Sequence, residues 1–413
     1  MNRVEALVVL AIITAALFTG LDRVRFHIDE SAWIGLSPTF EAFFTGRFRD
    51  PIWQERQDKL AVAPVTHYVI GAARRIGGFP PERLNPPWRW YVPYETNAAE
   101  GRVPEPRLLW WGRAGVTATA VGGIFVFFVL LLRAAGRPAA YAWLALALVN
   151  PYLRETLRRA MNEGVLLCFL ALATWATTRA LPHLDRPADA PGVRRRALAW
   201  LLAAAVAAGL AAQTKLSGAL AVPGVVLVVM LVSIRTPARS SQRLRRAALT
   251  SALLAAVSFG TFIGANPTLW PDPARNTVRT VRERAAVMKD QVRRAGGPGE
   301  LPTADRAGLV LTRVFSDFAV VPLKVAGPIL FATGMTAAMA VLIGWMKCGN
   351  QKHALVSLVV VGAVVSLPML GTPLDWSRYY LLPVFYAGLA TSAGLAWLAD
   401  RVRRSLSEAR ARR

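Results

Sequence analysis

Cysteine is nearly missing from this chain: 413 residues contain only Cys168 and Cys348. Neither a disulfide framework nor a thiolate metal site can be built from that pair. Histidine is almost as scarce, with four residues, and His27 and His67 have no partners at metal-ligand spacing. There is no zinc pattern, no phosphate-binding Walker loop and no dinucleotide fingerprint. A divalent metal stays open as an alternative but has no motif to support it, and no cofactor is predicted. Acidic residues number 25 against 49 basic ones, giving a formal net charge of +24. No repeat of fixed period is visible.

Apolar runs, by contrast, are abundant. The cleanest are Val4–Leu21, Val116–Leu132, Ala197–Ala212, Ala219–Val232, Ala247–Ala265, Val325–Trp345, Ala354–Leu370 and Leu381–Leu398, and Ala139–Val149 and Gly164–Ala176 add two less clean ones. A helix needs roughly 20 mainly apolar residues to cross a bilayer, so about ten spans are expected. Nothing alternates like a barrel strand, and only helices satisfy every backbone group within one segment in lipid. The fold class is all-α polytopic membrane protein, one membrane-embedded domain over residues 1–413. The first run, preceded by Arg3, resembles a signal peptide but shows no clear small-residue cleavage site before Asp22, so an uncleaved span is expected.

The positions of the cations argue against nucleic acid as a partner. Arg133/Arg137, Arg186/Arg194/Arg195/Arg196, Arg235/Arg239/Arg243/Arg245/Arg246 and Arg401/Arg403/Arg404 fall in alternate connections and at the tail, as cytoplasmic segments do. That map predicts a multi-pass cell (inner or plasma) membrane protein with both termini in the cytoplasm. Two long segments, 22–110 and 266–320, would then be extracytoplasmic loops. They carry arginines, but long loops translocate largely regardless of charge.

The first loop has the composition of an ordered structure. Asp29–Phe44 reads as an amphipathic helix broken at Pro38, Val62–Ile76 as a second helix, and Trp110-Trp111 as the re-entry at the interface. In the second loop, Asp272 can cap a helix whose first position is Pro273. There Val278, Val281, Ala285, Met288 and Val292 form one stripe, with Arg275, Arg279, Arg282, Arg293 and Arg294 on other faces. This is the pattern of a basic juxtamembrane helix lying along a lipid surface. Gly296-Gly297-Pro298-Gly299 ends it and could hinge.

Asp29-Glu30, just past the first span, heads the candidates for chemistry. A carboxylate at a bilayer edge can serve as a general base toward a hydroxyl or amine, with Glu30 or His27 as the orienting neighbour. Arg158, Arg159 and Glu163 sit near the outward end of the fourth span, after a short outer turn beginning at Pro151. Lys215 and Arg378 are further outward cations at span ends. A phosphate held between such cations would be a natural ligand. For each group a plainer role exists: a solvated pair for the acids, a helix-dipole partner for Glu163, snorkelling for the cations and a structural role for His27 and His67.

Together these pieces resemble the membrane-embedded glycosyltransferases of the GT-C type, in the branch of the protein O-mannosyltransferases and the lipid A aminoarabinose transferase. The matching stretches run in order along nearly the whole chain. They are Asp29-Glu30, Pro64-x-x-His67-Tyr68, Arg159 to Glu163, Thr214-Lys215, Asn266-Pro267-Thr268-Leu269-Trp270-Pro271-Asp272-Pro273 and Arg378-Tyr379-Tyr380-Leu381-Leu382-Pro383. The resemblance implies inverting transfer of a sugar from a polyprenyl-phosphate donor to a protein, lipid or glycan acceptor on the extracytoplasmic face. Asp29 matches the family's catalytic carboxylate, with Glu30 beside it. Arg158, Arg159, Glu163, Lys215 and Arg378 would hold the donor, and His27, His67, Tyr68 and Tyr379 would support the site or acceptor. Glu163 stands where relatives often have Asp. The Trp-Trp-Asp motif of the oligosaccharyltransferase branch is absent, which argues against N-glycosylation. Alternatives are a transporter or flippase for an anionic lipid-linked substrate, which would place charges near the bilayer midplane, and a non-catalytic assembly partner.

Overall fold

The structure is a computed structural model describing residues 1–53, 64–90, 92–184, 191–235, 240–295, 302–318, 329, 332–337, 339–340, 343–344, 353–372 and 375–411. Among the described residues there is no β-strand. The longer helices are, in order, α1 (Arg3–Phe18), α2 (Ile28–Gly35), α3 (Thr39–Phe44), α4 (Pro64–Ile76), α5 (Pro106–Val149), α6 (Pro151–Arg158) and α7 (Asn162–Leu184). They continue as α8 (Pro191–Thr214), α9 (Ala221–Arg235), α10 (Ser240–Gly264), α11 (Pro273–Ala295), α12 (Thr303–Thr312), α13 (His353–Ser366) and α14 (Leu381–Ala411). Eight of the described helical stretches are long and apolar enough to cross a membrane. The expected run Val325–Trp345 and the Gly296–Gly299 hinge lie largely or wholly outside the described residues.

α5 reconciles that number with the spans read from the sequence. Its 44 residues include a backbone break at Gly136, with φ 84° and ψ 178°. Were α5 straight, Phe127 and Trp143 would stand roughly 24 Å apart along the axis. Both instead pack on the Phe385 ring, at centroid distances of 4.9 and 5.2 Å. Phe128 likewise meets Tyr141 at 5.2 Å. The chain therefore doubles back at Gly136, and Val116–Leu132 and Ala139–Val149 are separate antiparallel arms, as their separate apolar runs predict. α7 lies close against the first arm. A Cβ on Gly164 would come within 2.9 Å of the Val116 carbonyl oxygen, an approach that only a residue without a side chain allows.

The first loop forms a small core of its own on the end of the bundle, with Ile34, Trp53, Val65, Ile70, Phe79 and Leu108 buried together. α2 and α3 are the predicted broken helix, and α4 is the predicted second one. Arg74 ties them: fully buried, it donates to Ser37 Oγ (2.7 Å), to the Phe79 carbonyl (2.7 Å) and to Glu41 Oε2 (2.5 Å). The Tyr68 hydroxyl donates to the Ala265 carbonyl (2.9 Å), joining this loop to the start of the second one. There Asp272 caps α11 as expected, its Oδ1 accepting from the Arg275 N–H at 3.1 Å. α11 buries Asn276 and Thr280 against the protein and leaves Val278 and Val281 about half exposed, so its apolar stripe faces away from the bundle.

Gly136→Val should cost about 1–3 kcal/mol, since a β-branched residue cannot adopt that backbone conformation without strain. Gly260, helical and with nothing near its absent Cβ, should accept alanine with no loss. Thermal unfolding of both variants in detergent distinguishes them; equal midpoints would contradict the hairpin.

Candidate functional site

The site begins at the N-terminus of α2. His27 is the N-cap: its Nδ1 accepts from the Asp29 N–H (3.2 Å), while its own N–H donates to Glu30 Oε2 (2.9 Å). This capping box satisfies two otherwise unpaired donors of the first turn. It also requires a neutral imidazole. Burial, followed by the charges of Arg378 and Arg159, pushes the His27 pKa down to about 4.

Glu30 is fully enclosed and fully engaged. Arg113, itself 1% exposed, donates through Nε to Oε1 and through Nη2 to Oε2, both at 2.8 Å. The Ala160 N–H adds a third bond to Oε1 at 2.9 Å, and Arg113 Nη1 goes on to the Leu21 carbonyl at 3.1 Å. One carboxylate thus joins α2, α5, the segment after α1 and the link between α6 and α7. Adjacent side chains on a helix point roughly 100° apart. Asp29 consequently faces elsewhere: its Oδ2 pairs with Arg378 and lies 3.7 Å from His27 Nδ1. The two carboxylates read together in the sequence occupy different environments.

Arg378 lies on a 3-10 turn, Ser377–Tyr380, that leads into α14. Its guanidinium sits over the Trp376 ring at 4.7 Å and the Tyr379 ring at 5.5 Å. Lys215, at the end of α8, lies 5.0 Å over the same Tyr379 ring and 3.2 Å from Glu163 Oε1. Glu163 stands in the first turn of α7; its Oε2 is buried with no hydrogen-bond partner among the described residues. Arg159 pairs with Glu155 and lies within electrostatic reach of His27. Asp29, Arg378, Tyr379, Lys215, Glu163, His27 and Arg159 thus assemble at one end of the bundle from regions far apart in sequence.

Other expected members lie elsewhere. Arg158 Nη2 donates to the Thr19 carbonyl at 2.6 Å, closing the end of α1; the α6–α7 link turns it away from its neighbour Arg159. The outer turn beginning at Pro151 is in fact the eight-residue helix α6. His67 is buried against Trp33 behind α2, ring centroids 4.8 Å apart, and Tyr68 is the loop-joining hydroxyl described above. Arg113 was missed, although a lone arginine within the apolar stretch 108–120 is itself a signal. Among the described residues no group of three His, Cys, Asp or Glu side chains comes together to hold a metal ion.

A family model described as dolichyl-phosphate-mannose-protein mannosyltransferase matches residues 57–266. No curated protein matches the chain. Among solved structures it is similar to the oligosaccharyltransferase of Archaeoglobus fulgidus in the apo form, at 14% identity and TM-score 0.55 over 98% of this chain and 52% of that one. It is also similar to ArnT from Cupriavidus metallidurans in the apo state, at 19% identity and TM-score 0.50 over 94% of this chain and 59% of that one. The S. cerevisiae protein O-mannosyltransferase Pmt1-Pmt2 complex bound to the sugar donor matches more loosely, at 17% identity and TM-score 0.43 over 64% of this chain and 34% of that one. The chain spans between about a third and three-fifths of the length of these structures. The fold is that of the GT-C membrane glycosyltransferases.

Breaking the buried Glu30–Arg113 pair strands a charge, so Glu30→Gln or Arg113→Met should each cost about 3–5 kcal/mol, with the double variant recovering part of the loss. Unfolding midpoints of the three proteins check this; single variants as stable as the parent would refute the assigned role.

Proposed function

Because the chain belongs to the dolichyl-phosphate-mannose-protein mannosyltransferase family, we propose that it is an inverting glycosyltransferase drawing its sugar from a polyprenyl-phosphate donor. The observation that carries this reading is the contact of a nearly buried carboxylate, Asp29, with Arg378, beside the Lys215–Glu163 pair. A base and the cations for a phosphate meet at the end of a bundle of apolar helices. A lipid-borne donor has its charged group at such an end and its chain alongside the helices.

In the proposed reaction an acceptor hydroxyl or amine approaches Asp29, which takes its proton as the new bond to the sugar C1 forms. The bond from C1 to the phosphate oxygen breaks on the opposite face, and the polyprenyl phosphate leaves with the bonding electrons. Arg378 and Lys215 stabilise the charge that develops on that phosphate, the larger electrostatic contribution in a water-poor site. Arg159, close to His27, adds to the same positive field. Glu163 Oε2, buried and unpartnered among the described residues, would accept from a sugar hydroxyl. Glu30 acts through Asp29 only, holding the α2 N-terminus in place. Arg158 has a comparable structural duty at α1, and His67 and Tyr68 brace the loop behind.

Such a site would face the extracytoplasmic side, as the distribution of short-loop cations suggests. The acceptor class, whether protein, lipid or glycan, shares the nucleophile that Asp29 would activate. Gathering of these charges at span ends weighs against transport, which would place them near the midplane.

Asp29→Asn keeps the shape of the side chain but not its basicity. In membranes supplied with labelled polyprenyl-phosphate sugars it should lower transfer by about 10²–10⁴-fold, the usual worth of a positioned general base. Near-normal transfer by this variant would reject the assignment.

A further inference from the structure

Arg378 owes its position to a group of residues outside the proposed contacts with donor and acceptor. The stretch from Asp375 to Tyr380 is held at several points. The Asp375 carboxylate receives Arg313 Nε at 3.2 Å and Nη2 at 2.5 Å, and its Oδ1 also accepts from the Tyr380 hydroxyl at 2.8 Å. A guanidinium seated on both oxygens fixes orientation as well as distance, which a lysine could not do. In the middle of the stretch, the Ser377 carbonyl accepts from the Tyr152 hydroxyl at 2.7 Å. Tyr152 stacks on Phe318 at 4.4 Å, and Phe318 in turn lies 5.8 Å from the Tyr380 ring.

These anchors come from α6 and from the five-residue π-helical turn Arg313–Asp317 that extends α12. Such turns are rare and recur at functional positions. This one lets Arg313 hold two carboxylates: Nη1 reaches Asp317 at 2.5 Å while the other edge holds Asp375. Arg378, in the same turn, pairs with Asp29. The segment 302–318 thus holds the start of the turn whose cation, Arg378, meets Asp29.

We propose that Arg313 and Asp375 are a positioning pair for Arg378, through which the segment 302–318 sets how Arg378 grips the donor phosphate. The pair touches no substrate and acts only through the turn. This inference rests on Arg378 being a phosphate ligand.

The test is equilibrium binding of radiolabelled undecaprenyl phosphate to the purified full chain in detergent. Asp375→Asn should weaken binding about tenfold, because a displaced contact loses much of its value. The same change in an Arg378→Gln background should add nothing, since residues acting through one another are not additive. Arg313→Lys should restore part of the affinity lost in Arg313→Gln. Tyr152→Phe removes the hydroxyl's bond to Ser377 and its contact with Thr156 inside α6 but alters no charge, which guards against misfolding of the charge variants; it should weaken binding about threefold to tenfold, again only when Arg378 is present. Unchanged binding by both Asp375→Asn and Tyr152→Phe, or losses that add fully to that of Arg378→Gln, would overturn the pairing. Wild-type affinity in Arg378→Gln alone would instead remove the phosphate reading beneath it, and the two failures are told apart by that single variant.

Discussion

A buried carboxylate that meets four donors organises the site. Glu30 Oε1 accepts from Arg113 Nε and the Ala160 N–H, and Oε2 from Arg113 Nη2 and the His27 N–H. An ion pair this enclosed is costly to desolvate and repays that cost only when its geometry is nearly complete, as it is here. The result is specificity of placement. α2 is fixed in height and rotation against the bundle, and Asp29, one residue earlier, is directed to the side where Arg378 waits.

The remainder of the site follows from how helices end. Asp29 and Glu163 stand in the first turns of α2 and α7, Lys215 follows the last residue of α8, and Arg378 lies in the turn before α14. In a membrane protein the interior of a span has little tolerance for charge, so polar chemistry collects where backbone groups and side chains reach the interface. The first loop, with its own core and the buried Arg74, covers that end of the bundle. Asp29, at the edge of this cover, is only 6% exposed.

Much of this was legible in the sequence. The apolar runs marked the helices, and the connection between Val116–Leu132 and Ala139–Val149, with Arg133 and Arg137 in it, marked two spans rather than one, although Gly136 as the residue that turns the chain was not read there. Pro38 broke the first amphipathic helix, and Asp272-Pro273 started α11, because capping and proline chemistry act over three or four residues. Asp29, Lys215, Glu163 and Arg378 stood out as candidates because each is a charge at the end of an apolar run. What stayed hidden was direction and distance. Asp29-Glu30 is one dipeptide in the sequence, yet its side chains point to different partners. Arg158 and Arg159 are equally inseparable until the α6–α7 link turns one toward Thr19. Arg113 is concealed by the apolar stretch around it, and nothing local signals that Arg313 will meet a carboxylate 62 residues away.

The most direct measurement is a structure of the full chain with undecaprenyl phosphate bound. The phosphate oxygens should lie within hydrogen-bond distance of Arg378 and Lys215, on the side of the site that Asp29 faces, with the Glu30–Arg113 pair unchanged behind them. A phosphate seated away from both cations would contradict the account.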